Sequence, residues 1–130
     1  MKRSILLPII FLLFAGTSFY CHPKKVNPDH LTGKLVINGA CGQYVVQVVS
    51  GSIDPKRIAS SWTDTFSHIT YTNVFRVANS CTFGGEGVAK DQLFTFTIPD
   101  PGPVQDCFLC QIYVPTPPVS TPVTNVQVLK

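Results

Sequence analysis

The stretch GKLVINGACGQYVVQVV, residues 33–49, places two apolar, β-branched runs on either side of NGACG. Val, Ile and Tyr lose side-chain freedom in a helix but pack well on a pleated surface, and the glycines permit a tight reversal. The stretch therefore predicts a β-hairpin, with strands over 34–38 and 43–49. Chain that continues in this style has to build an antiparallel sheet, and the rest of the sequence does continue so.

Downstream, ITYTNVFRVAN (69–79) alternates, with Tyr71, Phe75 and Val77 expected on one face and Thr70, Thr72 and Arg76 on the other. QLFTFTIP (92–99) alternates more clearly, setting Phe94, Phe96 and Ile98 against Leu93, Thr95 and Thr97. CFLCQIYV (107–114) and VTNVQVL (123–129) predict two more strands. One short helix is expected near 55–62, where Asp54 can cap, Pro55 suits the first turn, and Ile58 and Trp62 lie four apart. FGGEG (83–87) reads as a loop, PDPGP (99–103) ends a strand, and PTPPVSTP (115–122) reads as an extended, polyproline-like break. About six short antiparallel strands, one short helix and short connections predict an all-β fold, a sandwich or small barrel, with an oligonucleotide-binding-type barrel as a special case.

Five cysteines stand at 21, 41, 81, 107 and 110. The Cys-x-x-Cys pair in QDCFLCQ has three chemistries open to it. A redox pair needs a thiolate held at a helix N-terminus, and no helix-forming run follows Cys107. A zinc site would use the pair as one knuckle, with Cys41, Cys81 or His68 completing a tetrahedron, but the second close pair is missing. Disulfide stapling remains the leading expectation. If 107–110 is extended, the two Cα atoms stand roughly 10 Å apart, too far to bond, and each cysteine takes a distant partner, Cys41 and Cys81 in either order. If the pair sits in a turn, Cys107 bonds Cys110 and Cys41 bonds Cys81.

The chain opens with Met1-Lys2-Arg3, an apolar run over 5–14 and small residues at 15–18, the layout of a secretory signal over 1–20. The run is shorter than the roughly 20 apolar residues that span a bilayer. Its end, FAGTSFYCHPKK, resembles the lipobox of bacterial lipoproteins, in which the Cys becomes the lipidated first residue of the mature chain. That role would fall on Cys21, which leaves an even set of four cysteines to pair. The alternative is plain cleavage after Thr17 or Ser18 and release of a soluble protein. Residues 21–32, CHPKKVNPDHLT, read as a tether, and 33–130 as a single β-domain. The whole layout resembles the small lipoproteins of Gram-negative bacteria. That resemblance implies export and a membrane link through Cys21. With no Asp directly after Cys21, it also implies the periplasmic face of the outer membrane.

The formal charge of +3 belongs mostly to the signal: without Lys2 and Arg3, eight basic residues face seven acidic ones. A chain so balanced has no basic face to track a phosphate backbone, so no nucleic-acid partner is expected. Asp64 and His68 with Ser60, Ser61 or Ser67 would make a hydrolytic triad on paper, yet no Ser lies in a Gly-x-Ser-x-Gly elbow. GACG opens onto a strand rather than a helix, unlike a phosphate loop, and Glu86 is the only Glu. Trp62, Tyr71, Phe75 and Tyr113 could line a ligand groove, although aromatics at strand alternation are chiefly core. The sequence thus predicts a non-enzymatic, lipid-anchored envelope module that needs no cofactor and binds a protein or small ligand. The alternatives are a structural or zinc-binding envelope protein using Cys41, Cys81, Cys107 and Cys110, and a secreted enzyme or inhibitor.

Overall fold

The computed structural model describes residues 30–100, 102, 110 and 112–130. Its strands are β1 (Leu31–Gly39), β2 (Gln43–Ser50), β3 (Ala59–Thr63), β4 (Thr70–Val77), β5 (Leu93–Thr97), β6 (Ser120–Thr121) and β7 (Thr124–Val128). They form one sheet in the order β3-β4-β2-β1-β5-β7, with β6 also on β4. All pairings are antiparallel except β4 with β6. The all-β expectation holds, and the predicted 33–49 hairpin is β1 and β2, with Asn38 opposite Tyr44 and Gly33 opposite Val48. Its connection is a single 3-10 turn, Ala40–Gly42, in which Cys41 has φ 67° and Gly42 φ 75°.

Because β1 and β2 are central, they are buried on both faces. Leu35 and Val46 face the main core with Phe75, Val77, Phe94 and Phe96, while Val36 and Val45 join Val74 on the opposite face. A register shift between Leu35 and Ile37 lets Ile37 join Val36 on that second face. Gly33 is required here for close packing: a Cβ would lie 2.8 Å from a Val46 methyl and 2.9 Å from the Phe96 ring. The smaller cluster is covered by Ile37, Ala59 and the stacked pair Trp62 and Tyr71, whose rings are 6.2 Å apart.

Three expectations are corrected. The helix near 55–62 is one 3-10 turn, Pro55–Arg57, capped by Asp54 as its sequence suggests, after which 59–63 becomes strand β3. β4 needs a partner along its outer edge, and that tertiary demand overrides the four-residue spacing of Ile58 and Trp62. Tyr71 does not share a face with Phe75, because Asn73 adopts φ 53° within β4 and breaks the alternation. The strand expected over 107–114 is absent at Cys110 and at 112–114, its other positions lying outside the described residues. The structure adds a short helix, α1 (Ser80–Gly84), which turns Phe83 into the core against Tyr44 and Phe94.

β6 and β7 are separated by only Pro122 and Val123, yet lie on β4 and β5 at opposite sides of the sheet. The sheet must curl to bring those sides within reach. It does not close by a ladder; the crossing is held by Asn79, 2% exposed, whose amide donates to Val123 O at 2.7 Å and accepts from Val123 N at 2.9 Å. The side chain thereby mimics one rung of a sheet, and Val123 itself is 2% exposed. Removing it leaves a buried N–H and a buried C=O unpaired, each worth about 1–3 kcal/mol. Asn79→Ala is therefore expected to lower stability by about 3 kcal/mol in denaturant titration. Asn79→Asp, which keeps an acceptor for Val123 N but loses the donor to Val123 O, should also be destabilised.

Cys41 bonds Cys110 across 69 positions of sequence with Cα atoms 5.4 Å apart. This selects the long-range pairing and excludes the scheme in which Cys107 bonds Cys110. Cys81 is disulfide-bonded as well. A loop of that length corresponds to about 4 kcal/mol of unfolded-state entropy. Peptide mapping without reductant should recover the Cys41 and Cys110 peptides as one linked species, and Cys41→Ser should lower the denaturation midpoint accordingly.

Candidate functional site

The positive φ at Asn73 does more than move Tyr71. β2 pairs with β4 only from Val45 to Gln47, opposite Arg76 to Val74. Beyond that point Val48 and Ser50 keep their β1 partners, Gly33 and Thr32, but have none on β4. The two strands splay, and the Gln47 amide bridges the start of the split by donating to Thr72 O at 3.0 Å. Gly51, at φ 103°, then reverses the chain where a Cβ would meet a Leu31 methyl.

A groove of about 600 Å³ lies along this split. Its walls are Val48, Ile53, Pro55 and Ile58, and Ser50, Ser52, Ser60 and Asn73 bring three hydroxyls and an amide. None of the lining residues carries a charge or a group that titrates near neutral pH. Such a surface discriminates by shape and by neutral hydrogen bonds, and the volume lies within the range of small-ligand pockets. A shallower recess of about 260 Å³ adjoins it through Ser52 and Ile53. The charges there are already engaged: Arg57 pairs with Asp100 at 3.2 Å and donates to Pro99 O at 3.3 Å, and Asp54 Oδ1 accepts from Lys56 N at 2.9 Å.

The β3–β4 turn gathers Asp64, Ser67 and His68, but not as a triad. Ser67 Oγ donates directly to Asp64 Oδ2 at 2.6 Å, so the imidazole does not stand between hydroxyl and carboxylate as general-base chemistry requires. Asp64 is 6% exposed and also accepts from Phe66 N and Ser67 N, while its backbone pairs with His68 and Ile69. Its role is to shape the turn.

Of the aromatics singled out in the sequence, Phe75 is fully buried core, Trp62 and Tyr71 cover the second cluster, and Tyr113 is 84% exposed. None of the four lines the groove. Cys41 and Cys110, joined in a disulfide, offer no thiolate to zinc, and among the described residues no cluster of His, Cys, Asp or Glu could hold a metal ion. Cys21 and Cys107 lie outside the described residues. Sequence reasoning misses the groove because it places Ile58 and Ser60 on a helix. The available signal is Asn73 in the middle of a strand pattern, since Asn is among the few residues that enter the left-handed region readily.

No family model matches the chain, and neither the curated proteins nor the solved structures contain a match to it.

The Asp64 carboxyl is held below its ordinary range, chiefly by the Ser67 hydroxyl, then by the Phe66 and Ser67 N–H groups and by the charge of His68; burial pushes the other way. A carboxyl depressed in the folded state stabilises the fold fully above its unfolded value of about 3.9, and that contribution is lost as pH falls through the folded value. Thermal melts in the acid range should therefore show Asp64→Asn with a flatter pH dependence than the native chain and with lower stability near neutrality. Equal slopes would remove the carboxylate from the account.

Proposed function

We propose that the chain is an exported, lipid-anchored module of the cell envelope, non-enzymatic, whose β-domain binds an uncharged ligand or partner segment in the groove between β2 and β4. The observation that carries the binding reading is the lining of that groove, apolar walls with serine hydroxyls and one amide and no acid or base. Catalysis by proton transfer or by an activated nucleophile needs a titratable group within reach of the substrate, and these lining residues provide none. Recognition of a neutral, partly apolar molecule needs only the groups already in the groove.

Export is supported by the Cys41–Cys110 disulfide, a bond that persists in oxidising compartments and is rare in the cytosol. The basic start, the apolar run and the small residues before Cys21 supply the route. Lipidation of Cys21 gives the remaining four cysteines even parity, and His22-Pro23-Lys24-Lys25 after it favours the periplasmic face of the outer membrane, as in the lipoproteins the layout resembles.

Two measurements test the proposal. Intact-mass analysis of the exported protein should show a mature chain starting at Cys21 with added acyl mass; a chain starting at Ser18 or Phe19 with none would replace the anchor with plain secretion. Nile red, an uncharged dye with polarity-dependent emission, should bind the native domain and shift to the blue. Ser60→Arg, which sets a charge and a long side chain on the groove wall, should abolish the shift while leaving the melting temperature close to native. Equal binding by both proteins would place the site elsewhere.

A further inference from the structure

β1 is antiparallel to β2, and β2 is antiparallel to β4, so β1 and β4 run in the same direction. The start of β1 at Leu31 and the start of β4 at Thr70 therefore lie at the same end of the sheet. Chain leaving the domain before Leu31 leaves from the end that carries the β3–β4 turn.

That turn presents apolar side chains to solvent. Phe66 is 70% exposed and Ile69 49% exposed, and neither belongs to the two core clusters. The turn is also held firmly. Its one acid, Asp64, is buried and spent on hydrogen bonds to Phe66 N, Ser67 N and Ser67 Oγ, and Thr63 Oγ1 meets Thr70 Oγ1 at 2.8 Å across its base. The carboxylate that would repel an anionic surface is therefore turned inward. Arg57 pairs with Asp100 at 3.2 Å and Asp54 accepts from Lys56 N, and the sequence before Leu31 carries Lys24 and Lys25 against Asp29.

We propose that the 64–69 turn is a membrane-contacting tip, with Phe66 and Ile69 entering the headgroup region of the bilayer that holds Cys21. The proposal rests on the lipid-anchor reading. Nine residues separate Cys21 from Leu31, and those ten steps of chain span at most about 35 Å, which keeps this end of the domain within reach of the surface. Partly apolar side chains on a firm turn bind an interface through buried apolar area and attraction to anionic lipid. At this distance the effective concentration of bilayer is high, so two side chains suffice to hold an orientation. The groove between β2 and β4, whose lip at Ser50 and Gly51 is at the same end, would then face the membrane.

Trp62, the only tryptophan, stands in β3 four positions before Phe66 and reports on the contact. The exported protein, reconstituted in vesicles of equal parts phosphatidylethanolamine and phosphatidylglycerol, should lose Trp62 emission when the acyl chains are brominated. Phe66→Ser with Ile69→Ser should abolish that loss at unchanged acyl mass, and Tyr113→Ser, exposed at the opposite end, should leave it intact. A second arm separates the tip from the anchor: the chain from residue 21, Cys21→Ser, held by an N-terminal histidine tag on nickel-chelating vesicles of the same lipids. Here each apolar side chain removed should weaken the tip's contact about tenfold. Quenching in this arm without acyl mass in the native protein would sink the anchor and keep the tip. Acyl mass without quenching in either arm, or quenching unchanged by the double substitution, would overturn the tip.

Discussion

The fold depends on a demand that an open sheet cannot meet alone: two strands separated by two residues must sit on opposite sides of it. Asn79 meets that demand with one side chain. By offering Val123 both a donor and an acceptor at 2.7 and 2.9 Å, it fixes the crossing segment without a ladder, and Thr121 adds a bond of 2.6 Å to Arg57 O on the way across. The curl that results wraps the Phe75, Phe83, Phe94 and Phe96 rings into a continuous core. Short edge strands result as well: two residues of β6 are enough when their neighbours are pinned, and Pro122 cannot extend the pairing.

Much of this sheet is legible from the residues. The β1–β2 hairpin is written in β-branched runs around a glycine-containing turn, and β5 alternates as cleanly in the structure as in the sequence, with Phe94 and Phe96 fully buried and Leu93 exposed. Asp54 and Pro55 do start a helical turn, but the chain beyond Arg57 is claimed by an edge of β4 that lies in no local pattern. β6 is hidden in a proline-rich run that by composition forms no strand, and it exists because the clamp delivers it to β4. α1 lacks a side-chain cap because Asn79, the residue that would supply one, is engaged with Val123.

The groove is not legible for a related reason. It is created where a ladder stops, and the stop is a backbone conformation at Asn73 rather than a chemical motif. Neutral lining residues give no signal to a search for acids, nucleophiles or metal ligands. Disulfide stapling is legible from cysteine number and compartment, while the pairing needs the geometry that places Cys41, in its left-handed turn, within 5.4 Å of Cys110.

One consequence concerns mechanical load. The N-terminal segment enters the domain through β1, which is flanked by β2 along nearly its full length and by β5 from Leu31 to Lys34. A pull on that segment acts along the strand, so it loads the rungs of both ladders together in shear instead of parting them one at a time from an edge. The Cys41–Cys110 bond ties the turn at the far end of the β1–β2 hairpin to the chain 69 positions on, which limits how far the strand can travel once it slips. A domain loaded through this strand resists being drawn apart along the strand's own direction.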